Sequence, residues 1–214
     1  MIPSQLAEVT RERVLRAAGE VFAERGFRDA TVRDICGKAG VNVASVNYYF
    51  RNKEALYCEA LSFAFEEAEE RYPFDCPEGE GVTPAERLRH FIRNFLMRLL
   101  DDTHLGWHGK LITREILSPT AALVPIVDSI MKPRFDAVRR IVIQLVPHPL
   151  DDDSLERCVL SIFGQCLVYR HARSVIDQMR PQIVAGPEDR EATAEHVFRF
   201  VLAALTHLPP TPGT

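Results

Sequence analysis

Thr31 to Leu56 reads TVRDICGKAGVNVASVNYYFRNKEAL, and the fold follows from how that stretch divides. Thr31-Val32-Arg33-Asp34 is a T-x-x-D helix start, in which the threonine hydroxyl can accept from an orphan backbone N–H. Val32, Ile35 and Ala39 then recur on one helical face. Gly40 stands where a left-handed residue would end that helix without a Cβ penalty. Asn42 is placed to cap a second helix, Val43 to Phe50, whose Val46 and Phe50 lie four apart and point inward. A third helix opens at Lys53. Helix, glycine turn and second short helix form a helix-turn-helix, whose second helix enters the DNA major groove.

With Val46 and Phe50 inward, Ala44, Ser45, Asn47 and Tyr48 face the groove. Asn47 can pair bidentately with adenine N6 and N7, worth about 1–3 kcal/mol of discrimination. Ser45 can donate or accept, and Ala44 can touch a thymine methyl. Tyr48 and Tyr49 offer hydroxyls to phosphate and flat faces to sugar or base edges. Lys53, at the start of the third helix, and Thr31 and Arg33, at the start of the first, are placed for phosphate contacts on either side.

The run Phe22-x3-Gly26-x4-Thr31-Val32-x2-Ile35-x3-Ala39-Gly40-Val41, then Tyr48-Tyr49-Phe50-x2-Lys53-Glu54-x-Leu56, resembles the TetR family of bacterial repressors. The resemblance implies an all-α homodimer with an N-terminal operator-binding domain and a larger ligand-sensing domain. Three positions depart from the family's pattern. Asn42 stands where serine is usual, Ala44 where glycine is common, and Asn47 where tyrosine is usual. Asparagine caps as well as serine does, so the helix start is preserved. Asn47 lies on the reading helix and bears on which operator is read.

At 214 residues, with 46% hydrophobic and 26% charged residues, the chain holds a small domain and a larger one with ample core. No apolar run approaches the roughly 20 residues that span a bilayer, and MIPSQLAEVTRER has no apolar signal core. We therefore expect no membrane association and a cytoplasmic protein. The net charge of −4 is uneven: residues 1–56 carry nine Lys/Arg against seven Asp/Glu, and the remainder carries 17 against 23. DNA contact would use a local positive face, with the acidic bulk held away from phosphate. Cys36, Cys58, Cys76, Cys158 and Cys166 show neither a C-x-x-C pair nor zinc spacing, and read as reduced thiols, with redox sensing the sharper alternative.

The first helix starts near Thr10 and ends at Gly26, with Phe22 as core anchor. A long helix follows from Lys53 toward Arg71, which the resemblance makes the connector between domains. Residues 1–52 are thus the DNA-binding domain and 53–214 the ligand-binding and dimerisation domain. Pro84 to about Asp101 is amphipathic, and His104 to Lys110 is less regular. Pro125 and Pro133 kink or break the helical pattern around them. Asp151 to Met179 reads as one helix, apolar nearly all round. One stripe carries Cys158, Val159, Ile162, Phe163 and Cys166; the opposite face carries Leu160, Ser161, Gly164 and Val168, which another chain would cover. The last helix presents Val197, Phe200, Val201 and Leu205, widened by Phe198 and Leu202. Two such helices, doubled by symmetry, would form a four-helix interface through Leu160, Ser161, Gly164, Val168, Phe198 and Leu202. The segment LSIFGQCLVYRHARSVIDQM resembles the C-terminal domain of CecR-like TetR regulators.

For a small-molecule effector the candidates are His104, Trp107, His108, Phe163 and Arg170. His104 and His108 have the spacing of two metal ligands on a helix, but no third ligand matches, so we expect no metal; pocket lining and plain packing both remain open. Arg170 can close its helix through the dipole or meet an anionic ligand. No P-loop, G-x-S-x-G or G-x-G-x-x-G occurs, and no cofactor is expected. The reading is a ligand-responsive repressor on a palindromic double-stranded operator; a helical enzyme or small-molecule carrier is the rival.

Overall fold

The computed structural model describes residues 3–74, 81–101 and 106–210. Among these the regular structure is helical, with no strand, and the helices are α1 (Pro3–Asp29), α2 (Val32–Ala39), α3 (Val43–Tyr49), α4 (Lys53–Arg71), α5 (Pro84–Leu100), α6 (Gly106–Leu117), α7 (Leu123–Ile126), α8 (Lys132–Leu145), α9 (Asp152–His171), α10 (Arg173–Met179) and α11 (Pro187–Thr206). No helix among the described residues is long and apolar enough to cross a membrane.

Packing divides the chain into two compact units, residues 1–71 with 102–128, and residues 72–101 with 129–214. By packing, therefore, α4, α6 and α7 accompany the helix-turn-helix, whereas the sequence reading parts the chain by role after residue 52. In the first unit, Val14, Ala18, Val21 and Phe22 form the buried stripe of α1. Phe22 is fully buried, its ring edge-on to Tyr57 of α4 at 4.8 Å. α1 begins at Pro3, well before Thr10, while Gly26 does interrupt it, with φ 82° and ψ 168°. Only glycine takes that backbone readily.

α2 and α3 follow the local signals closely. Thr31 caps α2 in a reciprocal box with Asp34, and Gly40 ends it at φ 64°, ψ 37°. The Asn42 side chain accepts the Ser45 N–H at 2.8 Å. Asn52, unremarked in the sequence, caps α4 by accepting the Ala55 N–H at 2.8 Å. α6 opens at Gly106, so the stretch expected to be irregular is helical from there on. Pro125 and Pro133 flank a π-turn, Val127–Met131, that separates α7 from α8; a ring without an N–H shifts the hydrogen-bond register there.

The second unit is built on a core that includes Leu88, Ile92, Leu96, Val138, Val142, Val159, Ile162, Cys166, Val197 and Val201. Three expectations need correction. The helix expected over 151–179 breaks at Ala172 (φ −96°, ψ 15°) into α9 and α10. Its fully buried stripe ends at Cys166, and beyond it, in these two helices, only the partly buried Tyr169 and, on α10, Ile176 pack on the core among the described residues. On α11, Phe198 is buried in the unit's own core and Phe200 is 56% exposed, the reverse of the reading. The packed stripe is Ala194, Val197, Phe198, Val201 and Leu205, which follows helical period and turns Phe200 outward. Leu202 is half-buried and also packs on this core.

Candidate nucleic-acid interface

α3 is seated by two residues, Val46 and Phe50, each 2% exposed. Seating them fixes what the helix shows. Ala44, Asn47 and Tyr48 are exposed together, Tyr48 at 82%. Val43, which the sequence reading omitted, is 41% exposed and one turn before Asn47 on the same face. Its place follows from the seating of Val46 and Phe50, which turns it outward with Asn47. Ser45 is half-buried, and its hydroxyl donates to Asn42 Oδ1 at 3.1 Å, so it serves the cap. Tyr49 is half-buried, its ring 5.1 Å from Tyr48 and 6.2 Å from Phe50.

The flanking residues carry the charge. Arg33, at the start of α2, and Arg51, in the turn before α4, are exposed. Lys53 Nζ donates to the Arg28 carbonyl at 3.1 Å and sits 4.9 Å from the Phe27 ring centre. An ammonium has three donors, so two remain for phosphate. Thr31 accepts the Asp34 N–H, and its hydroxyl and backbone N–H both donate to the Asp34 carboxyl, holding it below the usual aspartate range. Arg25 pairs with Asp34 at 2.9 Å and Lys38 with Glu20 at 2.6 Å, so those cations are balanced within the unit.

The effector candidates divide between the two units. His104 lies outside the described residues. Trp107 and His108 belong to the first unit, Phe163 and Arg170 to the second. Trp107 packs on Gly19 of α1 and stacks on His108 at 3.8 Å. His108 is 2% exposed, with Nε2 2.7 Å from Glu67 Oε2. Both side chains are thus engaged in helix packing. Phe163 is the hub of an aromatic cluster, 5.5 Å from Phe91, 5.4 Å from Phe95 and 6.1 Å from Phe135. Burial pushes the Cys166 thiol up to about 12, and Cys36, Cys58 and Cys158 are also raised, none the mark of a reactive thiolate. Cys76 lies outside the described residues.

Of the expected dimer residues, Leu160 (60% exposed), Val168 (47%), Ser161 and Gly164 form an outward stripe on α9. On α11 the large outward apolar residue is Phe200, which lines an open groove of about 800 Å³ with Glu195, His196, Arg199 and Ala203.

Residues 14–60 match the family model for bacterial regulatory proteins of the tetR family, and residues 84–205 match that for the C-terminal domain of the HTH-type transcriptional dual regulator CecR. The CecR dual regulator of Shigella flexneri is 26% identical over 178 residues, 79% of this chain and 79% of its own length. The repressor NicS of Pseudomonas putida is 32% identical over 120 residues, 51% of this chain and 56% of its own. A TetR-like transcriptional regulator from Rhodococcus sp. RHA1 shares the fold at TM-score 0.67 and 19% identity, covering 97% of this chain and 100% of that one. These relatives are transcriptional regulators rather than enzymes. An all-helical chain whose outward-facing short helix follows a capped glycine turn, and more than half of which matches the CecR model, belongs to the TetR family of DNA-binding transcriptional regulators, with a CecR-like C-terminal domain.

Proposed function

We propose that the protein is a ligand-responsive repressor that acts as a homodimer on a palindromic double-stranded operator and is released by a small-molecule effector. The carrying observation is the face of α3: Ala44, Asn47 and Tyr48 exposed together over a buried Val46 and Phe50. Asn47 reads adenine through its amide, and Ala44 lies against a thymine methyl. Arg33, Tyr49, Lys53 and the Thr31 end of α2 position the backbone without reading sequence. Residues 1–52 do the reading, and 53–214 do the sensing and pairing.

Pairing uses the outer stripe of α9 together with the outer face of α11, where Phe200 replaces Phe198 in the expected set. Two-fold symmetry presents each stripe to its own copy and doubles the contact. Successive major grooves lie about 34–36 Å apart, so the dimer must hold its α3 helices at that separation. An effector that favours another separation weakens operator binding by its differential affinity for the two states. The aromatic cluster around Phe163, in the second unit with Arg170, is the most suitable lining for an apolar effector.

The test is Asn47→Ala in a selection from randomised duplexes. One position in each half-site should lose its preference while non-specific affinity stays nearly intact. An unchanged selected motif would remove Asn47 from the reading set.

A further inference from the structure

Val43 opens α3 and is 41% exposed, on the face it shares with Asn47 one turn later. A single exposed valine is ordinary on a protein surface. This one stands in the first turn of the reading helix, where such helices meet base edges. The polar side chains around it are committed to the cap: Asn42 Oδ1 accepts the Ser45 N–H at 2.8 Å and the Ser45 hydroxyl at 3.1 Å. Of residues 43–45, the exposed side chains are those of Val43 and Ala44, both aliphatic.

An aliphatic group discriminates among base edges by what it cannot satisfy. In the major groove thymine shows its C5-methyl, cytosine an amino donor, guanine two acceptors and adenine one donor and one acceptor. Methyl against methyl removes apolar area from water. Valine pressed on an amino group or a carbonyl strips its water and returns no hydrogen bond. Branching at Cβ also leaves valine essentially one χ1 rotamer in a helix, so its methyls are presented with little ordering cost.

We propose that Val43 is a specificity-determining residue that reads the C5-methyl of a thymine one or two base pairs from the adenine read by Asn47. The offset follows from pitch: four residues rise about 6 Å along α3, and base pairs stack about 3.4 Å apart. Ala44 points about 100° away round the helix, so its thymine is a separate one. The inference rests on the reading of α3 in the major groove and adds a base position to it.

The experiment measures Kd on the selected operator and on duplexes in which one thymine, in both half-sites together, is replaced by deoxyuridine. That exchange deletes the methyl and leaves base pairing intact. One thymine, one or two base pairs from the adenine that Asn47→Ala no longer selects, should show a loss of about fourfold per half-site, the worth of one buried methyl. Val43→Ala preserves the helix start, since alanine is the better helix former. In that variant the loss at this thymine should vanish, while the loss at the thymine under Ala44 stays. Each ratio compares two duplexes with the same protein, so a general change in affinity cancels. In the converse arm, cytosine and then 5-methylcytosine stand at the same position, paired with guanine. The added methyl should recover affinity with wild type and not with Val43→Ala. A deoxyuridine loss that persists in Val43→Ala overturns the role of Val43 and leaves the α3 reading in place. So does an Asn47-dependent adenine with no methyl-sensitive thymine within two base pairs. An enriched site with no Asn47-dependent base removes that reading, and the role of Val43 with it.

Discussion

Glu115 is 2% exposed, and its hydrogen-bond donors among the described residues, Tyr57 and Thr120, are neutral. Tyr57 of α4, itself 2% exposed, donates its hydroxyl to Oε2 at 2.8 Å. Thr120, after α6, donates its backbone N–H to Oε1 at 2.8 Å and its hydroxyl at 3.0 Å. Glu115→Ala strands these groups. A buried donor without an acceptor costs about 1–3 kcal/mol, and the half-buried Thr120 falls at the low end, so we expect a loss of about 2–4 kcal/mol. Tyr57→Phe removes a single hydrogen bond to a charged group and should cost about 1.5–3 kcal/mol, since the ring contact with Phe22 survives. The double variant should cost less than the sum, because the Tyr57 hydroxyl is no longer there to strand. Urea unfolding can be followed by emission of Trp107, the chain's one tryptophan, which packs within the same unit. Midpoints should fall with slopes unchanged. Strict additivity, or a Glu115→Ala cost below about 0.5 kcal/mol, a surface-like value, would refute the network.

Lys53→Ala should weaken operator and mutated-operator binding by similar factors and flatten the salt dependence; an altered sequence preference would show that Lys53 reads bases. Burial pushes the Glu67 carboxyl up, but hydrogen bonds from His108 and Arg16 outweigh it and hold the group below its ordinary 4.5. A depressed folded value means stability present above 4.5 and lost as pH falls through the folded value, so Glu67→Gln should flatten the acid limb of a stability–pH profile, and an unaltered limb would count against the pairing. Gly164 has open space where its side chain would be, so Gly164→Arg is harmless to the isolated chain. At a two-fold contact it would bury unpaired charge, and sedimentation should report a folded monomer; a folded dimer would move the interface off this face.

What was legible in the sequence was short-range. The Thr31 box, the left-handed Gly40 and the Asn42 cap each involve residues within three or four positions, so local chemistry decides them. Seating Val46 and Phe50 followed from their spacing and exposed Asn47 as expected. Period alone failed on α11, because Phe198 and Phe200 both border an apolar arc and only the neighbouring helices choose between them. Long-range pairings left no local signal. Tyr57 and Glu115 are 58 residues apart, and neither advertises the other. Trp107 drew attention as the sole indole, yet its partner is a helical glycine far along the chain. Helix period shows that a side chain such as Phe163 faces inward, not which rings it meets there.

The central claim is that two copies of α3 read one palindromic site. Its most direct measurement is selection of bound duplexes from a randomised library by the wild-type protein, with stoichiometry measured on the enriched sequence. The account predicts an inverted repeat with half-site centres about one helical turn apart, or a whole multiple of it, carrying an adenine that Asn47→Ala no longer selects, and two chains per repeat. An enriched single half-site occupied by one chain, or no enrichment at all, would contradict it.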